Sequence, residues 1–469
     1  MPPFVYAAEV PRSSHYRCWL DGVEHTVIDS LKGQIVRAAG EPKVEVEIES
    51  LEPIDSLVVR PLQRGIKAAM TGKRIRFTLD RHDNISIEIN DHLDAPLFIF
   101  WDPPVETPEN DGKTIIFKAG QIHEVGKMIL GSGDRVFLEG GAVVRAWLLI
   151  ENAVDVRVWG PGVLDQSKRD FRENTIYVRK SREVLLEDVL LLDTFSWSLH
   201  LSFSEDVRIN RVRIIGWRPN CDGIDVLSSS HVAIRDCFFR NADDCVAIKS
   251  GKWDMDETGV MEDITVERCV FWNDLPGNAM EIGFELDNRL VQSVHFRDCD
   301  IIHVLLGAAF SIHNGGTARI EDVSFEDIRI EDLRDEFADL YVGLSIYSLD
   351  CPKEFFRTNP DRLPAPSERQ ETSSPDNQMQ WILPLNQEES SLCAGGRGSV
   401  DKVRFHRIAF SGAPILIVLK GYDDKHTVSN VTFTEISCAG KPVKEWPVDM
   451  LRMSHARAVR FEGKTVSPD

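Results

Sequence analysis

The chain repeats itself, and the repeat constrains its fold more than any other feature. Nine segments share one pattern of polar residue, aliphatic, a third residue that is polar in seven of them, and apolar residue. They are Asp155-Val-Arg-Val, Glu183-Val-Leu-Leu, Asp206-Val-Arg-Ile, His231-Val-Ala-Ile, Asp263-Ile-Thr-Val, Ser293-Val-His-Phe, Asp322-Val-Ser-Phe, Lys402-Val-Arg-Phe and Asn430-Val-Thr-Phe. The first aliphatic falls at 156, 184, 207, 232, 264, 294, 323, 403 and 431, so the spacings are 28, 23, 25, 32, 30, 29, 80 and 28. Short strands recurring every 20–50 residues or so, with no helical spacing between them, indicate a solenoid. A propeller blade needs about 40 residues, and a leucine-rich repeat carries a different consensus. The expected fold is therefore all-β: a right-handed parallel β-helix with one repeat per coil. Cys237, Cys269 and Cys299 each sit five residues after their own anchor aliphatic. Equivalent positions stack in a solenoid, so an internal ladder of small buried thiols is expected.

The first hundred residues have another character. Ile75, Phe77 and Leu79 alternate, then Ile85, Ile87 and Ile89, with Asp83-Asn84 between them as turn material, which is a hairpin signal. Val44 to Ile48 and Leu57 to Pro61 read alike. An antiparallel β-sandwich is expected over residues 1–104, with the Pro-rich stretch from Trp101 to Val105 as linker and the β-helix over 105–469. The 80-residue interval hides an insertion at 358–399 with five prolines, a lid, an oligomer arm or a partly disordered loop.

Charge narrows the partners. Lys and Arg number 54 against 75 Asp and Glu, a net −21 that repels phosphate backbones and anionic lipid surfaces. Nucleic acid and membrane are not expected as partners. The same field opposes capture of a long polyanion, although a local basic pocket could override it. Nine cysteines, with no CxxC pair, speak against a disulfide framework or structural zinc. The N-terminus shows no basic and apolar leader, so a cytoplasmic location is expected. A homo-oligomer stays open.

The chemistry centres on three acids. Pro219-Asn-Cys-Asp-Gly-Ile-Asp225 contains Asp222, and the run from Asn241 to Gly251 contains the adjacent Asp243 and Asp244. Two successive coils would bring these carboxyls to one outer face. Clustered carboxylates raise one another's pKa, so one stays protonated as an acid and another stays ionised as a base. Glycosidic-bond hydrolysis needs that division of roles.

The Asn-x-Asp-Gly and Asp-Asp-Cys-Val-Ala motifs, 21 residues apart at Asp222 and Asp243, resemble those of the polygalacturonase family of glycoside hydrolases. Gly277-Asn-Ala-Met-Glu-Ile-Gly283 stands where that family has Gly-His-Gly-x-x-Ile-Gly. The family is an inverting β-helix family needing no cofactor or metal. The resemblance implies Asp243 as general acid, with Asp222 and Asp244 positioning and activating water. Two departures stand out. Asn278 replaces the motif histidine, and Ser311 and His313 stand about where an Arg-x-Lys pair would grip a substrate carboxylate. Without those cations, bidentate recognition of a uronate is lost. Together with the net charge, this favours a neutral sugar. A second resemblance agrees: a β-sandwich with the Val58-Val-Arg-Pro-Leu62 segment and the strand Leu97 to Trp101, ahead of a β-helix, is similar to the dextranase and isopullulanase family of the same clan. That family hydrolyses α-glucans with a similar Asp trio.

The expectation is thus an inverting glycoside hydrolase acting on an oligo- or polysaccharide, with an α-glucan favoured and a pectin hydrolase as alternative. His200, Lys249, Asn278, Glu281 and His313 fall near the trio by phase and are candidate substrate contacts, each otherwise a solvated polar position. Trp197, Trp217, Trp253 and Trp272 could stack on a pyranose or anchor core and loops. Two further readings share the fold. Asp243-Asp244 could hold calcium in a lyase, or the solenoid could bind carbohydrate without cleaving it.

Overall fold

A computed structural model describes residues 2–109, 111–250, 259–274, 276–344, 348, 350 and 396–466. Most of the 358–399 insertion and Trp253 lie outside the described residues. Contacts divide the chain into two compact units. The first is Met1–Leu199 with Val207–Cys221 and Arg235–Arg240; the second is His200–Asp206, Asp222–Ile234 and Asn241–Asp469.

The first unit opens with two five-stranded sheets. One runs Val23–His25, Tyr16–Leu20, Val44–Ser50, Arg74–Leu79, Ala69–Thr71; the other runs Val27–Ser30, Gly33–Ala39, Leu97–Asp102, Asp83–Ile89, Leu57–Arg60. Val44, Val46, Ile48, Ile75, Phe77 and Leu79 from the first sheet share a core with Val36, Ile85, Ile87, Leu97 and Ile99 from the second. The hairpin expected from the alternating isoleucines is not formed. Arg74–Leu79 pairs with Val44–Ser50, whereas Asp83–Ile89 pairs with Leu97–Asp102 in the opposite sheet. The cause is burial. Arg74–Leu79 keeps one wet face, but Asp83–Ile89 is buried on both, so it belongs to the sheet whose outer face is also covered. That cover comes from coils of the same unit: Phe238 lies 5.0 Å from Phe98 and 5.2 Å from Phe100, ring centre to ring centre. Arg213 bonds Asp102 and Asn84, and Arg37 donates to the Gly162 carbonyl at 2.9 Å.

The remaining strands among the described residues form one 33-stranded sheet, wound as a parallel β-helix in which each strand pairs with its equivalent one coil on. The anchors lie in register: Val156 beside Val184, then Ile264 beside Val294, Val294 beside Val323, Val323 beside Val403 and Val403 beside Val431. The 80-residue interval therefore leaves the stack unbroken. All nine polar residues that open the repeat have φ between +51° and +60°, the left-handed region that side chains other than glycine seldom adopt. The ladder passes over them, pairing Glu262 with Gln292 and then Ile264 with Val294. One left-handed residue turns the strand at a corner, and the next aliphatic re-enters the core.

Inside, like stacks on like. The thiols of Cys237, Cys269 and Cys299 take the same pose, pointing at the carbonyls of Arg235, Glu267 and Arg297 at 3.2, 3.3 and 3.2 Å. Phe296, Phe325, Phe405, Phe433 and Phe461 form a ladder, with successive centroids 5.3, 5.1, 4.6 and 4.3 Å apart.

Candidate active site

The site lies in the second unit. Its strands Ile224–Leu227, Val246–Lys249, Met280–Phe284, Ala308–Asn314 and Glu336–Val342 stack in register. Asp225, Ala247, Glu281, Ser311 and Asp339 form one row; two residues on, Leu227 pairs with Lys249, and Gly283 pairs with His313 and His313 with Tyr341, on the same face because strand side chains alternate.

The three aspartates sit on the turns that feed the first two strands. These turns are locked together by Gly223 N–H to Asp244 C=O at 2.8 Å and Ile224 N–H to Cys245 C=O at 3.0 Å. One carboxylate oxygen from each of Asp222, Asp243 and Asp244 lies within 4.8 Å of the others. Asp222 and Asp244 are buried, while Asp243 keeps partial exposure. Gly277 allows the convergence: a Cβ there, at φ +103°, would meet the Asp243 carbonyl carbon at 2.4 Å and the Asp244 nitrogen at 2.5 Å.

Lys249 holds one side of the trio. Its Nζ is 2.9 Å from Asp222 Oδ2 and 2.9 Å from Asp225 Oδ1. Burial opposes its charge, but Asp222, Asp225, Glu285 and Asp244 outweigh burial and raise its pKa. Asp225 is raised well above the carboxylate range by burial and then by Asp222, so it holds a proton beside the Asp222–Lys249 pair.

Asn278 holds the other side. Its N–H donates to Asp244 Oδ1 at 2.8 Å, and its amide reaches Asp244 Oδ1 at 3.3 Å and Glu281 Oε2 at 3.0 Å. Behind it, Glu281 accepts from Ser311 and meets His313 Nδ1 at 3.0 Å, while His313 Nε2 meets Asp339 Oδ2 at 2.9 Å. Burial works against the imidazolium, yet Glu281 and Asp339 raise the His313 pKa well above its ordinary value. Gly283 leaves the room, since a Cβ there would lie 2.4 Å from the His313 carbonyl oxygen and 2.5 Å from Glu281 Oε1. Burial first, then the charges of Glu281, Asp243 and Asp222, push Asp244 well above the carboxylate range. Asp244 thus favours its protonated form more than an isolated carboxylate does.

Three carboxylates this close could in principle hold a hard cation. The donors already present fit that poorly, because an ammonium occupies Asp222 and two N–H groups occupy Asp244.

The structure thus brings Asp222, Asp243 and Asp244 together as expected and gives the neighbouring residues different tasks. Lys249, Asn278, Glu281 and His313 are buried: Lys249 meets Asp222 and Asp225, and Asn278 and His313 both meet Glu281. These bonds tie the expected sugar contacts to the acids of the site. His200, on the strand that stacks before Asp225, is 9% exposed. Trp272 is fully buried with its indole N–H on Asp274, so it is a core anchor. Sequence reasoning passed over Asp225 and Asp339. The available signal was phase: Asp225 follows Asp222 by three residues on the strand that stacks against Lys249.

The sequence profile of Glycosyl hydrolases family 28 matches residues 153–337. A probable polygalacturonase of Arabidopsis thaliana is 25% identical over 198 residues, covering 40% of this chain and 41% of that protein. The chain thus matches about two-fifths of that relative's length. Among solved structures, Dex49A from Penicillium minioluteum shares the fold with a TM-score of 0.56 at 11% identity, over 98% of this chain and 97% of that one. A hyperthermoactive exopolygalacturonase from Thermotoga maritima shares it with a TM-score of 0.50 at 16% identity, over 69% and 80%. The match to the Glycosyl hydrolases family 28 profile over residues 153–337 takes in Asp222, Asp243 and Asp244, and the two solved structures share the β-helix fold.

Proposed function

We propose that the chain is an inverting glycoside hydrolase of polygalacturonase type, cleaving the galacturonate backbone of pectin-like polysaccharide. The observation that carries this reading is the meeting of Asp222, Asp243 and Asp244 within 4.8 Å on the segment that matches the family. The neutral α-glucan expected from the missing Arg-x-Lys pair finds less support: the curated relatives are polygalacturonases, among them an Arabidopsis thaliana and a Vitis vinifera protein.

In this reading Asp243, the trio member with partial exposure, gives its proton to the leaving glycosidic oxygen as the bond to the anomeric carbon breaks. Water attacks that carbon from the opposite face, and Asp222, 2.9 Å from the Lys249 ammonium, accepts the water proton with Asp244 beside it. Two protons move and none is created. The close spacing is at odds with the roughly 6.5–9.5 Å usual between an inverting pair, and is nearer the 5–5.5 Å of retaining enzymes. Inversion is preferred because Asp222 and Asp244 are engaged by Lys249 and Asn278, which leaves neither free to attack carbon.

The test is proton NMR of the first products from polygalacturonate, with dextran as control. Polygalacturonate should be cleaved to a product of inverted anomeric configuration, unaffected by chelator. Retention, cleavage of dextran alone, or an unsaturated product would each refute the reading.

A further inference from the structure

The missing Arg-x-Lys pair leaves a question for any uronate reader: what meets the substrate carboxylate? Within the first unit, three loops leave three stacked strands. Val163–Asp165 pairs with Leu190–Thr194, which pairs with Arg213–Gly216. The loops that follow carry Arg169, Phe195, and Trp217 with Arg218. Parallel strands in register send their loops out at the same end, so these side chains gather.

Their donors are in surplus. Arg169 is 9% exposed and gives Nη1 to the Glu173 carbonyl at 2.7 Å, yet its Nη2 is buried without an acceptor. Arg218 Nη1 and the Trp217 indole Nε1 are buried in the same condition. A buried donor without an acceptor costs about 1–3 kcal/mol, and three in one loop cluster call for a shared acceptor. Aromatic faces fix the guanidiniums: Arg169 lies 4.8 Å from the Trp147 ring and 5.2 Å from Phe171, and Arg218 lies 4.2 Å from Phe195. With their faces covered, the guanidiniums are left with buried edge N–H groups for an acceptor.

The charges around the cluster leave it positive. Burial draws the Arg169 pKa down to about 10, Glu173 opposes that, and the Arg218 charge adds to it, so the two cations feel each other. Asp193 also faces Arg218, but burial and then Asp165 push it up to about 7, which weakens it as a counter-ion.

We propose that Arg169, Arg218 and the Trp217 indole N–H form a binding site for the carboxylate of a hexuronate residue. A planar fork of N–H donors matches a carboxylate bidentately, and the flanking rings suit the apolar face of a pyranose. The choice of a uronate over another carboxylate rests on the pectin-type function proposed above. The site is also the local basic pocket that could draw an acidic sugar to a chain of net charge −21.

The experiment is calorimetry with trigalacturonate, its methyl ester and inorganic phosphate on the full chain carrying Asp243→Asn to stop turnover. Arg169→Gln and Arg218→Gln should each weaken trigalacturonate at least tenfold, about 1.4 kcal/mol, with Arg218→Lys and Trp217→Phe intermediate. The ester should bind more weakly to the parent and be indifferent to the substitutions. Should either glutamine variant fail to fold, Arg218→Lys and Trp217→Phe carry the test. Unchanged trigalacturonate affinity, equal loss for acid and ester, or phosphate bound as tightly as trigalacturonate would overturn the proposal. Reducing-end release by the unsubstituted chain is scored separately. Arginine-dependent binding without cleavage would sink the hydrolase reading and leave this site standing, and cleavage with arginine-independent binding would do the reverse.

Discussion

A single ammonium and a single amide set the electrostatics of the trio. Lys249 Nζ lies 2.9 Å from both Asp222 and Asp225, so Lys249→Met removes the ammonium that two buried acids share. Removing one partner of a buried pair costs about 3–5 kcal/mol. Chemical denaturation at neutral pH should show that loss as a lower midpoint than the parent's. Glu281 acts at one remove, its charge adding to burial in raising Asp244. Taking away a negative neighbour lowers the pKa of Asp244, so Glu281→Gln should move the alkaline limb of kcat/KM to lower pH. An unmoved limb would show that Glu281 only fills space. The trio itself was legible in the chain, since a short motif keeps its spacing. The tasks of Lys249, Glu281 and His313 were not, because phase places a residue on a coil without saying whether its tip reaches solvent or a neighbouring carboxylate.

At the level of strands, the repeat was readable because each coil solves one steric problem in the same way. The residue before each anchor is left-handed, and polarity marks it: Asp155, Asp206, Asp263, Asp322 and Asn430 are types that tolerate the bend. The N-terminal strands were harder. Asp83–Ile89 reads as half of a hairpin by local alternation, and only the aromatic cover from a distant coil explains why it joins the other sheet. Gly283 is the strand position where shape matters most to the site. Gly283→Ala would drive a methyl into the His313 carbonyl and Glu281, at the roughly 1–3 kcal/mol typical of overpacking. The midpoint of unfolding should fall, and the Glu281–His313 contact should be lost from the imidazole NMR signals. A midpoint equal to that of the parent would mean the backbone yields freely there.

Across the whole molecule, the net charge of −21 and an acidic substrate pull against each other. Exposed charges are screened beyond about 10 Å at 0.1 M salt. Moderate salt should therefore lower KM for polygalacturonate by easing the repulsion, and leave a neutral methyl-esterified oligomer unaffected. A KM that climbs steadily from the lowest salt would mean that local cations dominate the encounter. The missing Arg-x-Lys pair, the dextranase-type domain order and the net charge together pointed the sequence reading toward a neutral glucan, and a charge summed over the chain does not say where its arginines sit. The account stands or falls on reducing ends released from polygalacturonate by the chain and by Asp243→Asn. It predicts steady release by the first and a fall of at least about a thousandfold in kcat for the second, with trigalacturonate binding kept. Equal release by both would contradict it.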